Sequence, residues 1–310
     1  MTTQCTDTVL LVRPAAFGFN PDTAATNRMQ REAALTPAEA QARACAEFNA
    51  MVGALRSEGI DVCVAEDTPE PAKPDAVFPN NWVSWHADGT VVLYPMCAPN
   101  RRLERRAQIL QRVAEATGFD IRRTLDLTAH ERHGRYLEGT GSLVLDHVGR
   151  VAYACRSART DERVLAEWCE AMGYSPELFT AVDRAGVPLY HTNVLMGIGR
   201  HFVAIGAGCI AEPDRARVLA RLAASGREII ELSLAEIEAF AGNLLELATW
   251  DEALGDSGVI VLSATARAQL APERYARLAA CSDVLLPIPV PTIEQLGGGS
   301  VRCMLAEVFR

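Results

Sequence analysis

The stretch Gly297-Gly298-Gly299-Ser300-Val301-Arg302-Cys303 carries more information than any other part of the chain. Three consecutive glycines open backbone conformations closed to other residues and let the main chain come close to a ligand. The cysteine that follows enters an apolar run, Met304-Leu305-Ala306, and is placed like a nucleophile at a strand edge. Any one of the nine cysteines is by default a small core residue; the glycine run sets Cys303 apart. Two further clusters bear on it, Leu137-Glu138-Gly139-Thr140-Gly141-Ser142 and Tyr190-His191-Thr192-Asn193. A thiol, an imidazole and a carboxylate suffice together for covalent C–N bond hydrolysis. His191 is a candidate to depress the thiol pKa, and Glu138 to orient the imidazole or a substrate nitrogen.

A third dense segment is Pro74-Asp75-Ala76-Val77-Phe78-Pro79-Asn80-Asn81-Trp82. Paired asparagines beside aromatic groups suit a polar pocket with an apolar rim. Arg159, in Ser157-Ala158-Arg159-Thr160, and Arg13, before Pro14, are candidate carboxylate clamps.

Composition excludes several classes. The formal charge of -9 argues against a general nucleic-acid binder. The run Arg101-Arg102-Leu103-Glu104-Arg105-Arg106 reads as a solvated helix face, because Glu104 interrupts it and no aromatic platform is interleaved. No secretory leader and no membrane span is visible, so a cytoplasmic location is expected. The odd cysteine count, without a CxxC pair, fits a reducing compartment. The six histidines form neither HExxH nor a Cys/His cluster, so no metal is expected. GxGxxG and GxxxxGK[ST] are both missing.

Thr36-Pro37 opens a helix, with Glu39 completing a capping pattern and Ala40, Ala44, Phe48, Met51, Val52 and Leu55 at helical spacing. Residues 101–117, 161–172, 212–224, 234–240 and 272–280 read as further helices. Strands are expected at 9–13, 60–64, 91–94, 143–145, 151–155, 194–198, 201–205, 259–262 and 284–288. Residues 20–34 and 68–79 read as loops, and 20–30 and 69–79 are candidates to close a pocket. The order strand, strand, helix, strand recurs in modules of about 50 to 60 residues. A single domain over 1–310 is expected. From periodicity alone the class is mixed α/β, and a doubly wound sheet is as natural as any other arrangement.

Taken together, these residues resemble the guanidino-group-modifying superfamily, which includes arginine deiminase, dimethylarginine dimethylaminohydrolase, succinylarginine dihydrolase and the amidinotransferases. The resemblance spans nearly the whole chain and is closest to the citrulline utilization hydrolases. It rests on Val12-Arg13-Pro14 with Phe17 and Asn20, Pro74 to Trp82, Leu137 to Ser142, His191-Thr192-Asn193 and Gly297 to Cys303. It implies a five-bladed α/β propeller (pentein) of ββαβ modules around a central pocket. It further implies Cys303 as nucleophile, His191 as general acid/base and Glu138 as their carboxylate partner. Asn81, Asn193, Arg159, Asp75, Asn20 and Arg13 are the implied substrate-binding set, without cofactor or metal.

Asn81 and Asn193 fall where deiminases of this superfamily place aspartates. A carboxylate complements a cationic guanidinium; an amide offers both a donor and an acceptor to a neutral ureido group. The expected substrate is therefore citrulline or a close analogue, cleaved to ornithine, ammonia and carbon dioxide. The rivals are a deiminase or dihydrolase of arginine, methylarginine or succinylarginine, an amidinotransferase, and a non-catalytic ligand-binding propeller. The expected partner is a small amino acid, with no nucleic acid or membrane; a homodimer would follow the general tendency of soluble enzymes.

Overall fold

The computed structural model describes residues 3–251 and 255–310. Strand β1 (Thr8–Arg13) and β2 (Asp61–Glu66) are joined by the helix Pro37–Ser57. The next module is β3 (Val83–Trp85), β4 (Thr90–Leu93), the helix Ala107–Thr117 and β5 (Arg123–Asp126). It is followed by β6 (Val144–Asp146), β7 (Val151–Cys155), the helix Glu162–Met172 and β8 (Ser175–Phe179). Then come β9 (Met196–Ile198), β10 (Phe202–Ile205), the helix Glu212–Ala223 and β11 (Glu228–Glu231). The last full module is β12 (Leu245–Asp251), β13 (Gly255–Ser263), the helices Ala264–Gln269 and Pro272–Ala280, and β14 (Val284–Ile288). A final short strand, β15 (Ala306–Glu307), ends the chain.

In each module the first two strands pair antiparallel and the third pairs parallel with the second. A parallel return needs a crossover of a dozen or more residues, and the helix supplies it. The fifth sheet is made from both ends of the chain: β15 pairs antiparallel with β1, Leu10 facing Ala306, and β1 pairs parallel with β2. The result is five three-stranded sheets, a five-bladed α/β propeller with its first strands innermost. β6 touches β9, β9 touches β12, and β15 touches β3.

The helix Pro37–Ser57 forms as its sequence dictates. Thr36 and Glu39 make a reciprocal capping box, and the six apolar positions named above are all buried. Strands β7 and β10 are buried along their whole length, which is why they read as continuous apolar runs. Strands β3, β5, β8, β11 and β12 were not expected. β5 exposes three of its four side chains and β11 two of four, and β8 carries Pro176, so alternation and propensity were both weak signals there. The helix expected over 101–117 is two elements, a 3-10 turn at Pro99–Glu104 and the helix Ala107–Thr117. The segment expected to be a loop over 20–34 contains one helical turn, Pro21–Ala24. Among the described residues no helix is long and apolar enough to cross a membrane.

Three histidines are locked into the interior. Burial lowers His86 to about 4, His147 to about 3 and His191 to about 4. All three are neutral in the native protein at neutral pH, and each takes up a proton on unfolding once pH falls below its ordinary value of about 6.5. The unfolded chain then binds more protons, so stability is full above about pH 6.5 and is lost as pH falls toward 4. Glu104, which burial raises to about 7, works in the opposite sense. The expected net loss is about 1–3 kcal/mol per pH unit between about pH 6 and pH 5. Urea unfolding midpoints across that range check it, and an unchanged midpoint would contradict it.

Candidate active site

Most of the candidate residues gather at one end of the inner strands. Asn81 precedes β3, Glu138 precedes β6, His191 and Asn193 precede β9, Asn243 precedes β12 and Cys303 precedes β15. Each of the five modules thus contributes from the same structural position, the turn entering its innermost strand. These positions recur every 50 to 60 residues along the chain.

Two of the sequence motifs are halves of one contact. Gly139 has φ 45, and a Cβ there would lie 2.1 Å from the Asn80 carbonyl oxygen. A Cβ on Gly141 would lie 2.4 Å from Asn81 Nδ2 and 2.8 Å from the His191 ring. The Glu-Gly-Thr-Gly turn therefore needs its glycines so that Asn81 and His191 can pack directly against it. The triple glycine plays a different part from the one expected. Gly298, at φ 62, caps the helix Pro291–Gly297, and its carbonyl accepts bonds from Asn27 Nδ2 at 3.2 Å and from Tyr190 Oη at 2.5 Å. Gly297 and Gly299 leave room for the Phe78 ring.

Cys303 is buried within a single helical turn, Val301–Met304, rather than at a strand edge. Its Sγ receives two carboxamide contacts, from Asn243 Nδ2 at 3.3 Å and Asn193 Nδ2 at 3.5 Å. Asn243 also donates to the Asn193 carbonyl at 2.9 Å and accepts from the Arg302 amide at 3.1 Å, so its amide is fixed at both ends.

His191 Nε2 lies 2.8 Å from Glu138 Oε2. Burial opposes ionisation of Glu138, but Arg159 and His191 overcome it and hold the carboxyl well below its usual range. Its other oxygen accepts from the Cys97 amide at 3.0 Å. With His191 neutral, Nε2 carries the hydrogen toward Glu138, and Nδ1 is left without a protein partner among the described residues as a potential proton acceptor.

Two arginines face the same cavity. Arg159 Nη1 is 3.4 Å from Glu138 Oε2, and its guanidinium stacks 5.1 Å from the Tyr190 ring centre. Arg101 was read from sequence as part of a solvated helix face, and that is overturned: it is 2% exposed and lines the cavity. The 3-10 turn after Pro99 turns it inward. There it pairs with Glu104 at 2.8 and 3.0 Å and donates to Asn81 Oδ1 at 2.8 Å. Asp75 Oδ2 is 3.8 Å from Arg101 and accepts from Asn20 Nδ2 at 2.7 Å. Burial raises the Asp75 carboxyl, with Arg101 and Asn20 opposing.

Asn20 does not line the cavity. It caps the turn Pro21–Ala24 and holds Asp75. Arg13 is not in the site at all. Its side chain leaves the end of β1 along the helix Pro37–Ser57, pairs with Glu66 at 3.0 Å, contacts Asn49 and lies 5.0 Å from the Phe48 ring. Arg101 and Asn243 are the residues sequence reasoning missed. The module spacing pointed to Asn243, whereas nothing local marked Arg101.

Segment 20–30 lies over the cavity. Thr26 Oγ1 accepts from Arg159 Nη2 at 2.8 Å, the Thr23 carbonyl accepts from the same nitrogen at 3.3 Å, and Asn27 reaches the Gly297 and Gly298 carbonyls. The free space inside is about 10 Å³, room for about one water molecule. Among the described residues, two buried polar atoms of its lining residues have no protein partner, Asp75 Oδ1 and Asn81 Nδ2. No group of three or more potential metal ligands exists among the described residues.

Residues 13–310 match the family model described as N,N dimethylarginine dimethylhydrolase, eukaryotic. The chain belongs to this family. It is thereby a member of the guanidino-modifying superfamily that its motifs resemble. No curated protein sequence matches it. Among solved structures, the N-terminal domain of ArgZ, an arginine dihydrolase from cyanobacteria, superimposes with a TM-score of 0.72 at 14% identity, covering 98% of this chain and 99% of the domain. Unliganded AgrE gives 0.74 at 16% identity, covering 97% of this chain but 39% of AgrE. A dimethylarginine dimethylaminohydrolase variant carrying an S-methyl-L-thiocitrulline adduct gives 0.64 at 18% identity, covering 99% and 100%. At these identities the likeness is one of fold.

Proposed function

We propose that this protein is a hydrolase acting at the ureido carbon of citrulline or a close analogue through covalent catalysis by Cys303. The observation that carries the ureido preference is the orientation of Asn81. Arg101 donates to its Oδ1, which leaves the Nδ2 end unpaired beside the cavity. A free amide N–H seeks an acceptor. A ureido oxygen is one; a guanidinium has only donors and leaves the Asn81 donor buried and unmatched, at a cost of about 1–3 kcal/mol. Asn193 and Asn243 add donors, not carboxylates, around the sulfur.

In this reading the Cys303 thiolate adds to the ureido carbon, and the C–N bond to the amino-acid side chain breaks. His191 Nδ1, having taken the thiol proton as the thiolate forms, passes it to the leaving amine, which departs as ornithine, and the enzyme keeps a carbamoyl group on sulfur. His191 Nδ1 then takes a proton from water, whose oxygen displaces the thiolate and yields carbamate. Carbamate decomposes to ammonia and carbon dioxide, so one citrulline and one water are consumed per ornithine. Glu138 holds the imidazole and stabilises the imidazolium formed in passing. Arg101 and Arg159 are the candidates for the substrate carboxylate, and the unpaired Asp75 oxygen is the candidate for its ammonium. With only about 10 Å³ free, segment 20–30 must open for entry and closes to exclude water. An ArgZ domain variant has been captured covalently bound to a reaction intermediate, which supports cysteine-type chemistry on this fold.

A second reading, hydrolysis of arginine or methylated arginine, is favoured by the family match and by a buried carboxylate, Glu138, held ionised where a guanidinium could meet it. Separate incubations with citrulline, arginine and dimethylarginine decide between them. Ornithine and one ammonia from citrulline alone support the proposal. Ornithine with two ammonia from arginine, or citrulline with dimethylamine from dimethylarginine, without turnover of citrulline, would replace it.

A further inference from the structure

A second cavity lies away from Cys303. It has a volume of about 710 Å³ and shares no lining residue with the catalytic cavity. Its walls come from the opposite ends of the same inner strands. His86 to Asp88 belong to the turn between β3 and β4, His147 and Arg150 to the turn between β6 and β7, and Phe309 and Arg310 follow β15.

Two opposite charges on exposed residues, Arg150 and Asp88, line this cavity without a direct ion-pair partner among the described residues. Arg150 makes no ion pair; its Nε bonds the Gly173 carbonyl at 3.3 Å, its Nη2 bonds the Met172 carbonyl, and its guanidinium sits 4.1 Å from the Tyr174 ring centre. Nη1 has no partner among the described residues. Asp88 accepts from the Thr90 amide at 2.9 Å and from the Thr90 side chain, and feels Arg123 at longer range, but makes no ion pair among the described residues. The two do not pair with each other, although both act on His86, which lies within range of each. Arg310 and Asp7, also in the wall, are accounted for: Arg310 is 3.5 Å from Asp7 and 3.1 Å from Asp61.

The cavity also holds two half-used imidazoles. His86 Nε2 meets Ser84 Oγ at 2.8 Å, and His147 Nδ1 meets Tyr174 Oη at 2.8 Å. Neither ring's other nitrogen has a protein partner among the described residues. Burial keeps both rings neutral, so each free nitrogen can be matched to a ligand donor or acceptor by choice of tautomer. Arg150 has φ 54, a left-handed backbone uncommon for a residue with a side chain. Such conformations concentrate where a side chain is held for a purpose.

We propose that this cavity is a second, non-catalytic site for a small zwitterionic amino acid, with the ligand carboxylate on Arg150 and its ammonium on Asp88. The two unpaired protein charges are then neutralised by one molecule that carries both. His86 and His147 supply neutral hydrogen-bonding groups between them. The site is separated from Cys303 by the length of the inner strands, so occupancy reports amino-acid concentration without competing for the catalytic cavity.

The test is thermal unfolding of the full chain with glycine and with 4-aminobutyrate, against acetate and ethylammonium at equal concentration and ionic strength. At saturation one of the two zwitterions is expected to raise Tm by about 2–4 °C, while neither single-charge probe does so. The increase is expected to vanish in Arg150→Asn, whose side chain tolerates a left-handed backbone, and in Asp88→Asn, which keeps the acceptor for Thr90. If Arg150→Asn fails to fold, Asp88→Asn decides alone. An equal response to acetate, a response that survives in the folded variants, or no response to either zwitterion would overturn the proposal.

Discussion

Cys303→Ala should abolish turnover, lowering kcat on the confirmed substrate by on the order of 10⁴-fold or more. The covalent route needs a sulfur to receive the carbamoyl group, and no neighbouring side chain can take its place: those touching Sγ are the amides of Asn193 and Asn243. The substitution removes one buried atom beside Phe78 and Gly299, so the fold should survive with a loss of about 1 kcal/mol. Substrate binding should persist, because Arg101, Arg159 and Asp75 are untouched. Single-turnover ornithine release and unfolding midpoints check both halves. A folded variant that retains turnover within tenfold would remove Cys303 from the chemistry.

Glu138→Gln should lower kcat by about 10²–10⁴-fold. The carboxylate receives three groups at once: His191 at 2.8 Å, Arg159 at 3.4 Å and the Cys97 amide at 3.0 Å. An amide has one acceptor end, so one of these donors must face its N–H₂ group. The imidazole loses the partner that fixes its tautomer and stabilises its charged form, and Arg159 loses its buried counter-ion. Breaking such a pair costs about 3–5 kcal/mol of stability. Arg159 also anchors segment 20–30 through Thr26, so KM should rise as well. The pH profile of kcat separates the roles: a positioning and charge-stabilising carboxylate predicts an altered His191 limb, whereas a purely structural one predicts an unchanged profile on a smaller active fraction.

Much of the fold could be read from the sequence where local and tertiary demands agree. The helix Pro37–Ser57 is such a case, with its capping box, its proline and its buried stripe all pointing one way. The outer strands β5 and β11 are held by parallel pairing to their neighbours while three of four side chains in β5 and two of four in β11 are exposed, so their own residues say little. The arginine run from 101 to 106 is polar in every window, and only the chain reversal after Pro99 sends Arg101 inward while Arg102 remains partly exposed. Arg13 shows the opposite error, a residue inside a characteristic motif whose side chain runs outward to Glu66. Cys303, His191, Glu138 and Asn81 were legible because each sits beside glycines or asparagines that have no role in an ordinary core. Asn243 shared their module position but lacked such neighbours on both sides.

The most direct test is to quench the wild-type protein with acid during turnover of citrulline and measure its intact and peptide masses. The account predicts an added mass of one carbamoyl group on the peptide containing Cys303, with ornithine as the released amino acid. Ornithine release with an unmodified Cys303, or an adduct on any other residue, would contradict it.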